Sequence, residues 1–207
     1  MKKIAIIGLG HVGLPLALEF AKQNKVCGYD INKERINYLK YKMDLDNKKQ
    51  KSGTGVFLRN YSMTYIRSIL KDNKNISFTH DEKDLSNSNI FIITVPTPLT
   101  KSKLPNLTFL KKATHTVAKY IKKKDLVIFE STVYPGATEE VCVPILEKYS
   151  LKKYNKEFFC GYSPERINPG DKRHQLKNIT KIVSGSNKKT LNIVDKLYSS
   201  IIKAGTY

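Results

Sequence analysis

Three glycines at fixed spacing directly follow a short apolar run near the start of the chain. The run Ile4–Ile7 leads into Gly8, Gly10 and Gly13, and a helical pattern begins at Val12. In a strand–turn–helix unit, the first glycine permits the tight turn, the second lets a pyrophosphate approach the backbone, and the third lets the helix pack on the strand. The helix N-terminus offers N–H groups to phosphates. The alternative is a glycine turn without a ligand. We expect dinucleotide contacts from the residues of this turn: Gly8, Gly10, His11, Val12 and Gly13.

Short β-branched runs alternate with amphipathic stretches along the chain. The predicted strands are Lys3–Ile7, Lys25–Tyr29, Ile76–Phe78, Ile90–Val95, Leu126–Glu130, Phe158–Tyr162 and Lys181–Ser184. The predicted helices are Val12–Gln23, Lys33–Lys42, Leu107–Lys122, Thr138–Tyr149 and Lys188–Ala204. This alternation predicts a Rossmann-type, doubly wound α/β domain over residues 1–207, with a mostly parallel sheet and helices on both faces. A polar segment at about 44–72 interrupts it and is predicted as an inserted loop and helix.

A carboxylate stands at the end of the second predicted strand, twenty positions beyond Gly10. There Asp30 can accept hydrogen bonds from the adenosine ribose hydroxyls and repel a 2′-phosphate, which favours NAD over NADP. We assign Asn32 and Arg35 to the same part of the cofactor site, although the positive charges of Lys33 and Arg35 weaken the preference for NAD. Asp30 could instead, or in addition, cap the helix that follows it.

Three further polar segments follow predicted strands, at the edge of the sheet where open α/β folds bind ligands. After the fourth strand, Val95, Pro96 and Thr97 are expected to line the cofactor, the alternative being a plain rigid turn. After the fifth, Ser131 and Thr132 are expected beside it, with the Thr132 hydroxyl toward the nicotinamide. After the sixth, Glu165 could order water and exchange protons, or could be a surface ion-pair partner. We predict Thr132 and Glu165 as catalytic residues, and the candidate substrate contacts are Glu165, Arg166, Ile167 and Asn168.

The chain is strongly basic, with 37 Lys plus Arg against 18 Asp plus Glu and a net charge of +19. The lysines are scattered in ones and twos, so we expect no nucleic-acid partner, although the positive field would attract anionic small molecules. Cys27, Cys142 and Cys160 form no CxxC pair and are predicted as buried structural thiols. We expect no metal site. No apolar run is long enough to span a membrane, and we expect a cytoplasmic protein without a membrane partner.

Four ordered segments resemble the UDP-glucose/GDP-mannose dehydrogenase family: IAIIGLGHVGLPLA, TVPTP, ESTVYPGATEE and GYSPERINPGDKRH. They are most similar to the branch that oxidises UDP-N-acetylhexosamines to uronic acids for surface polysaccharides. Such enzymes use two NAD through a cysteine-bound intermediate. The resemblance implies that Gly8, Gly10, Gly13 and Asp30 hold NAD. It also implies that Thr132 and Glu165 lie beside the reacting carbon, with Glu165 handling the hydrolytic water.

Members of the family continue, after a segment similar to 204–207, into a central helix and a second, UDP-binding domain that brings the cysteine nucleophile. The resemblance therefore implies that this chain binds NAD without turnover, and that it is a monomer or weak dimer although the full-length enzymes are dimers. Cys142 and Cys160 are not expected to replace the nucleophile. The alternatives are a non-enzymatic NAD-binding module and another oxidoreductase of the 6-phosphogluconate dehydrogenase type.

Overall fold

The structure, a computed structural model, describes residues 2–44, 73–165 and 178–207. Its strands are β1 (Lys3–Ile7), β2 (Lys25–Tyr29), β3 (Ile76–Thr79), β4 (Ile90–Ile93), β5 (Asp125–Phe129), β6 (Phe158–Tyr162) and β7 (Ser184–Gly185). Its α-helices are α1 (Gly13–Phe20), α2 (Lys33–Asp44), α3 (Thr108–Ala118), α4 (Val143–Ser150) and α5 (Lys188–Ser199). A 3₁₀ helix covers Glu82–Asn87, and a π-helical turn covers Thr138–Cys142.

The strands form one sheet in the order β3-β2-β1-β4-β5-β6-β7. All neighbouring strands are parallel except β7, which is antiparallel to β6. The order reverses between β1 and β4, where Ile6 lies between Gly28 and Ile92. The predicted doubly wound, mostly parallel fold is therefore confirmed, and a ligand crevice is expected at the carboxyl ends of these strands.

Helices cover both faces of the sheet, and alternate strand residues serve the two cores. On one face Ile4 and Ile6 pack with residues of α1, α2 and α5. On the other, Ala5 and Ile7 pack with residues of α3 and α4. Burial on both faces explains why these strands are continuous runs of apolar residues and do not alternate with polar ones.

The predicted bounds of the first, second and sixth strands are confirmed, whereas the prediction for Lys181–Ser184 was wrong in its extent. Of the predicted segment Lys181–Ser184, Ser184 alone pairs with β6, and the pairing continues to Gly185. Lys181 and Val183 pair with the end of the chain, since the Lys181 N–H donates to the Gly205 carbonyl and the Val183 N–H to the Tyr207 carbonyl. The backbone N–H groups of Lys181 and Val183 therefore bond to the last residues of the chain and not to the main sheet.

Helix ends also differ from the predictions, for local reasons. The helix predicted from Thr138 starts as a π turn in which the Val143 N–H bonds to the Thr138 carbonyl, and Pro144 follows near the start of α4. Proline has no N–H for the ordinary bond to residue 140, which suits the wider register just before it. The predicted loop and helix at about 44–72 lies outside the described residues beyond Asp44. No helix in the described ranges is long and apolar enough to cross a bilayer.

Candidate functional site

The glycine turn between β1 and α1 has a different constraint at each glycine. Gly8 has φ +95°, a left-handed conformation that side chains disfavour. A Cβ on Gly13 would lie 1.9 Å from the Gly8 carbonyl oxygen, so this position must be glycine for α1 to start here. A Cβ on Gly10 would meet nothing within 4 Å, which leaves open space above the turn. The turn therefore has the shape that a bound pyrophosphate requires.

The start of α1 leaves backbone donors for an anion. Leu14 and Leu16 donate to the carbonyls of Gly10 and Val12, but within the described residues no backbone acceptor meets the N–H groups of Gly10, His11 and Val12. His11 is exposed and Val12 is half-buried, so this part of the turn is open to solvent. Unpaired N–H groups at the positive end of a helix dipole bind phosphate oxygens.

Asp30 lies at the end of β2 and braces the same turn. Its two carboxylate oxygens accept the Leu9 N–H at 2.8 Å and the Asn32 N–H at 2.9 Å. The cap of α2 belongs to Asn32, whose side-chain oxygen accepts the Arg35 N–H at 3.0 Å, and not to Asp30. Asp30 is only half-buried, and each carboxylate oxygen has a second lone pair for a ribose hydroxyl.

Arg35, which the sequence placed among the cofactor contacts, lies behind the turn. Its side chain is buried, and its Nε and Nη2 donate to the Leu9 carbonyl at 3.1 and 2.7 Å. Leu9 is therefore held at its N–H by Asp30 and at its carbonyl by Arg35. This bracing of the peptide between Gly8 and Gly10 fixes the turn before any ligand arrives.

The loops after β4 and β5 are joined to each other and to the glycine turn. The Thr94 hydroxyl donates to the Gly8 carbonyl at 2.6 Å. The Ser131 hydroxyl donates to the Val95 carbonyl at 2.6 Å, and the Thr97 hydroxyl donates to the Thr132 carbonyl at 2.6 Å. Thr94 was not among the predicted site residues, although its position at a strand end was a usable signal. Val95, Pro96, Thr97, Ser131 and Thr132 thus form one braced rim.

A cleft of about 650 Å³ continues from this rim. Thr132 and Glu165, the two predicted catalytic residues, both line it, together with Tyr134, Tyr162 and Ser184. Thr132 is exposed, whereas the side chain of Glu165 is only 10% exposed. Arg166, Ile167 and Asn168 lie outside the described residues.

A buried polar cluster that the sequence did not predict lies beneath the cleft. The Lys181 ammonium is 2.6 Å from a Glu130 carboxylate oxygen and 3.5 Å from a Glu165 oxygen, and it donates to the Pro164 carbonyl at 3.1 Å. The Tyr198 hydroxyl donates to the other Glu130 oxygen. One buried cation therefore joins the β5 end, the Pro164–Glu165 turn and, through Glu130, α5.

Burial dominates the protonation of this cluster. It raises the pKa of Glu130 to about 7, and the nearby Glu165 carboxylate acts in the same direction, whereas Lys181 and Tyr198 oppose the change. Burial likewise raises the pKa of the Tyr198 phenol well above its ordinary value. The cluster thus keeps its tyrosine protonated and makes Glu130 a carboxyl that titrates near neutral pH.

The cysteines do not supply a nucleophile to the cleft. Cys142 and Cys160 are buried, and Cys27 is half-buried within β2. Burial raises the pKa of Cys27 and of Cys142 to about 11 and raises that of Cys160 well above its ordinary value. None of the three lines the cleft, and such thiols are poor sources of thiolate.

Comparisons with known proteins agree with this geometry. Residues 2–202 match the NAD-binding domain of the UDP-glucose/GDP-mannose dehydrogenase family. The chain is 48% identical, over 99% of its length, to the UDP-N-acetyl-D-glucosamine 6-dehydrogenase of Pseudomonas aeruginosa, and it covers 45% of that protein. It is 47% identical, over its whole length, to Protein CapL of Staphylococcus aureus, again covering 45%.

Among solved structures, the UDP-N-acetyl-D-mannosamine dehydrogenase of Pyrococcus horikoshii superimposes with a TM-score of 0.81 at 32% identity. The match covers 99% of this chain and 46% of that one, so the chain spans slightly less than half the length of these relatives. With the glycine turn, the braced Asp30 and the match over residues 2–202, the chain belongs to the UDP-glucose/GDP-mannose dehydrogenase family and carries its NAD-binding domain.

Proposed function

We propose that this chain supplies the NAD site and one wall of the sugar site in an enzyme that oxidises C6 of a UDP-N-acetylhexosamine to the uronic acid. Two NAD would be used per sugar, and the product would serve surface polysaccharide synthesis in the cytoplasm. The observation that carries the proposal is the continuity of the glycine turn, the braced rim and the cleft that contains Thr132 and Glu165. The names of the relatives at 47 and 48% identity support the sugar class.

Each part of the site has a separate task in this proposal. Bound NAD would accept hydride from the sugar carbon. The N–H groups at Gly10 to Val12 hold the pyrophosphate, and the charge of Asp30 selects a ribose that lacks a 2′-phosphate. At the cleft, the Thr132 hydroxyl orients the reacting end of the sugar, while the Glu165 carboxylate orders a water molecule and exchanges a proton with it.

The position of Glu165 suits this task because Lys181 lies beneath it. The ammonium is 3.5 Å from a Glu165 oxygen and also holds the preceding carbonyl, so the Pro164–Glu165 turn is anchored at two points. An anchored carboxylate loses little conformational freedom when it engages water, which favours acid–base catalysis. Lys181 acts here through Glu165 and is a positioning residue.

The chain alone would bind NAD but would not complete the oxidation. The second step in the proposed chemistry needs a thiolate to trap the aldehyde, and the three cysteines lie away from the cleft. We therefore propose that a further part of the enzyme completes the sugar pocket and brings the nucleophile. By itself the chain would be a monomer or a weak dimer.

A chimaera tests the proposed substrate directly. Residues 1–207 would replace the matching half of the Pseudomonas aeruginosa relative, with which they share 48% identity over 205 residues. We expect two NADH per UDP-N-acetylglucosamine or UDP-N-acetylgalactosamine, and a large loss of turnover with Glu165→Gln while NAD affinity is kept. A folded, NAD-binding chimaera that oxidises only UDP-glucose would contradict the sugar class. Unchanged turnover after Glu165→Gln would contradict the role of that carboxylate.

A further inference from the structure

The amino ends of the parallel strands lie along one edge of the sheet, opposite the NAD site. Because β1 to β6 are all parallel, the residues just before each strand share this edge, which we call the amino edge. The helices that follow β1, β2, β4 and β5 return to it before the next strand starts. Neighbouring strands are about 4.8 Å apart, so side chains at successive strand starts stand close together.

Lysines occupy almost every strand start on the amino edge. Lys3 begins β1, Lys25 begins β2, and the two are direct neighbours in the sheet register. Lys74 precedes β3, and Lys124 directly precedes β5. All four side chains are exposed. The scattered lysines of the sequence are therefore gathered by the topology into a row across the sheet.

The row continues in front of β6, where the exposed Lys153 and Lys156 lie in the loop that follows α4. This loop touches the preceding strand start, since the Lys124 N–H donates to the Glu157 carbonyl. Crowding of like charge is also evident at the start of β1, where burial and the nearby Lys196 together lower the pKa of Lys2. The amino edge thus concentrates positive charge on one side of the molecule.

The carboxylates described at the starts of β1, β2, β5 and β6 are buried or already bonded, and Glu82, on the 3₁₀ helix that leads to β4, pairs with Lys119 at 2.8 Å. Asp125 at the start of β5 and Glu19 near the end of α1 are 4 and 5% exposed. Glu157 is half-buried and already pairs with Lys123 at 3.3 Å. Glu147 accepts the Tyr154 N–H. The field of the row therefore extends into solvent.

An exposed leucine and a partly exposed tyrosine lie at the same edge. Leu151, directly after α4, is 88% exposed and has φ 58°, an unfavourable conformation for leucine. Tyr149, in the last turn of α4, is 47% exposed, and its ring packs edge-to-face against His115 of α3 with the ring centroids 4.2 Å apart. Both lie beside Lys148, Lys152 and Lys153 in the chain. A leucine and a tyrosine among lysines match the polar–apolar boundary of a lipid bilayer.

We propose that the amino edge is a peripheral membrane-docking face that binds bilayers containing anionic phospholipids. The lysine row meets the phosphodiester head groups, and Leu151 enters the boundary between head groups and acyl chains, while Tyr149 stays packed against His115 and meets the head groups with its exposed side. Docked in this way, the chain keeps its glycine turn and cleft on the opposite edge, open to solvent. This proposal departs from the sequence analysis, which predicted no membrane partner, because the row exists only once the strands are aligned.

The composition of the face favours lipid over nucleic acid. In the described ranges the strand starts carry lysine and no arginine, so the planar, two-pronged contacts to phosphate and guanine are missing. The exposed Leu151 would gain no apolar burial against the phosphate backbone of a nucleic acid, whereas it would be buried in a bilayer. Lysine side chains are attracted to an anionic bilayer by charge, and this attraction does not require a fixed contact geometry.

Vesicle sedimentation of the 207-residue chain tests the proposal. The vesicles contain either phosphatidylcholine with phosphatidylglycerol or phosphatidylcholine alone, and we expect binding only to the first. The triple variant K3Q/K25Q/K153Q should bind about a hundredfold more weakly, because each lysine near an anionic surface contributes about 1 kcal/mol, or about fivefold. The matched control K101Q/K111Q/K112Q removes the same charge from exposed lysines elsewhere and should bind nearly as well as the native chain.

A second variant separates the apolar contribution from charge. Leu151→Asn keeps the net charge and suits the left-handed backbone, so the chain should fold at least as well. Its affinity for anionic vesicles should fall about tenfold because apolar burial is lost. If both triple variants lost vesicle affinity equally, the proposal would be overturned, because net charge alone would then explain the binding. The proposal would also be overturned if Leu151→Asn bound anionic vesicles as tightly as the native chain, or if the native chain bound neutral vesicles equally well. A third contrary result would be that duplex DNA displaces the chain from vesicles and binds it through the same three lysines.

Discussion

At the scale of single residues, the peptide around Leu9 determines whether the glycine turn is ready for a dinucleotide. Asp30 accepts its N–H and Arg35 donates to its carbonyl, so the turn is fixed from both sides. Asp30 is therefore both a structural brace and the proposed ribose ligand. Substitutions at this residue must be interpreted with both roles in mind.

Asp30→Ala is expected to weaken NAD binding by about 1 to 3 kcal/mol and to reduce discrimination against NADP. Asp30→Asn is the matched control, since its amide oxygen can still accept the Leu9 N–H while the charge that repels a 2′-phosphate is lost. It should therefore keep more NAD affinity than Asp30→Ala and still lose discrimination. Calorimetric titration measures both, and a native chain that prefers NADP would contradict the assignment.

Substitutions at Gly10 and at Gly13 are expected to have opposite effects on NAD binding and on stability. Gly10→Val should abolish measurable NAD binding and leave the melting temperature nearly unchanged, because the new side chain points into open space where the pyrophosphate belongs. Gly13→Ala should destabilise the fold, because its Cβ would lie 1.9 Å from the Gly8 oxygen. Native NAD affinity in Gly10→Val would mean that the segment is only a turn.

Lys181 provides a test of the buried cluster. Lys181→Met leaves Glu130 without its cation and should lower the free energy of unfolding at pH 8 by about 3 to 5 kcal/mol. The control is Lys119→Met, which removes an exposed lysine 2.8 Å from Glu82 and should cost less than about 1 kcal/mol. Similar losses in both variants, measured by chemical denaturation, would show that burial of the Lys181 pair has no special energetic role.

At the scale of elements, much of the sheet was predictable because its determinants are local. Strands β1, β2 and β6 are short, mainly apolar runs bounded by polar residues or glycine, and the glycine turn lies between a strand and a helix in the order its function requires. The Lys181 cluster was not predictable from such patterns. Its partners Glu130 and Tyr198 are 51 and 17 residues from Lys181 in the sequence, and Lys181 in a β-branched run was interpreted as an ordinary strand residue.

The burial of Glu130 at the end of β5 predicts a pH dependence of stability. Its pKa is raised from 4.5 to about 7, so between these values the folded chain binds more protons than the unfolded chain. The free energy of unfolding should therefore fall as pH rises through this window and should level off above it. Glu130→Gln should flatten this part of the profile. A native profile that rises between pH 4.5 and 7, or one unaffected by Glu130→Gln, would contradict it.

At the scale of the whole molecule, the two edges of the sheet have different chemistry. The carboxyl edge carries the turn, the rim and the cleft, and it presents donors, hydroxyls and carboxylates. The amino edge carries the lysine row. A parallel sheet separates these functions because every strand start lies on one side and every strand end on the other.

This chain carries an NAD-binding domain, and in the proposed enzyme it is the cofactor half of the active site. The direct measurement mixes the purified chain with NAD and UDP-N-acetylglucosamine or UDP-N-acetylgalactosamine, and follows the bound NAD and the NADH absorbance together. We predict saturable NAD binding and no growth of absorbance, because the sugar pocket is proposed to need a further part of the enzyme, and no thiol lines the described cleft to carry the second oxidation. If the chain did not bind NAD, it could not be the cofactor half of the site. Steady NADH production that Glu165→Ala abolishes would show that the chain is more than half of the site, since these 207 residues would then contain a complete active site.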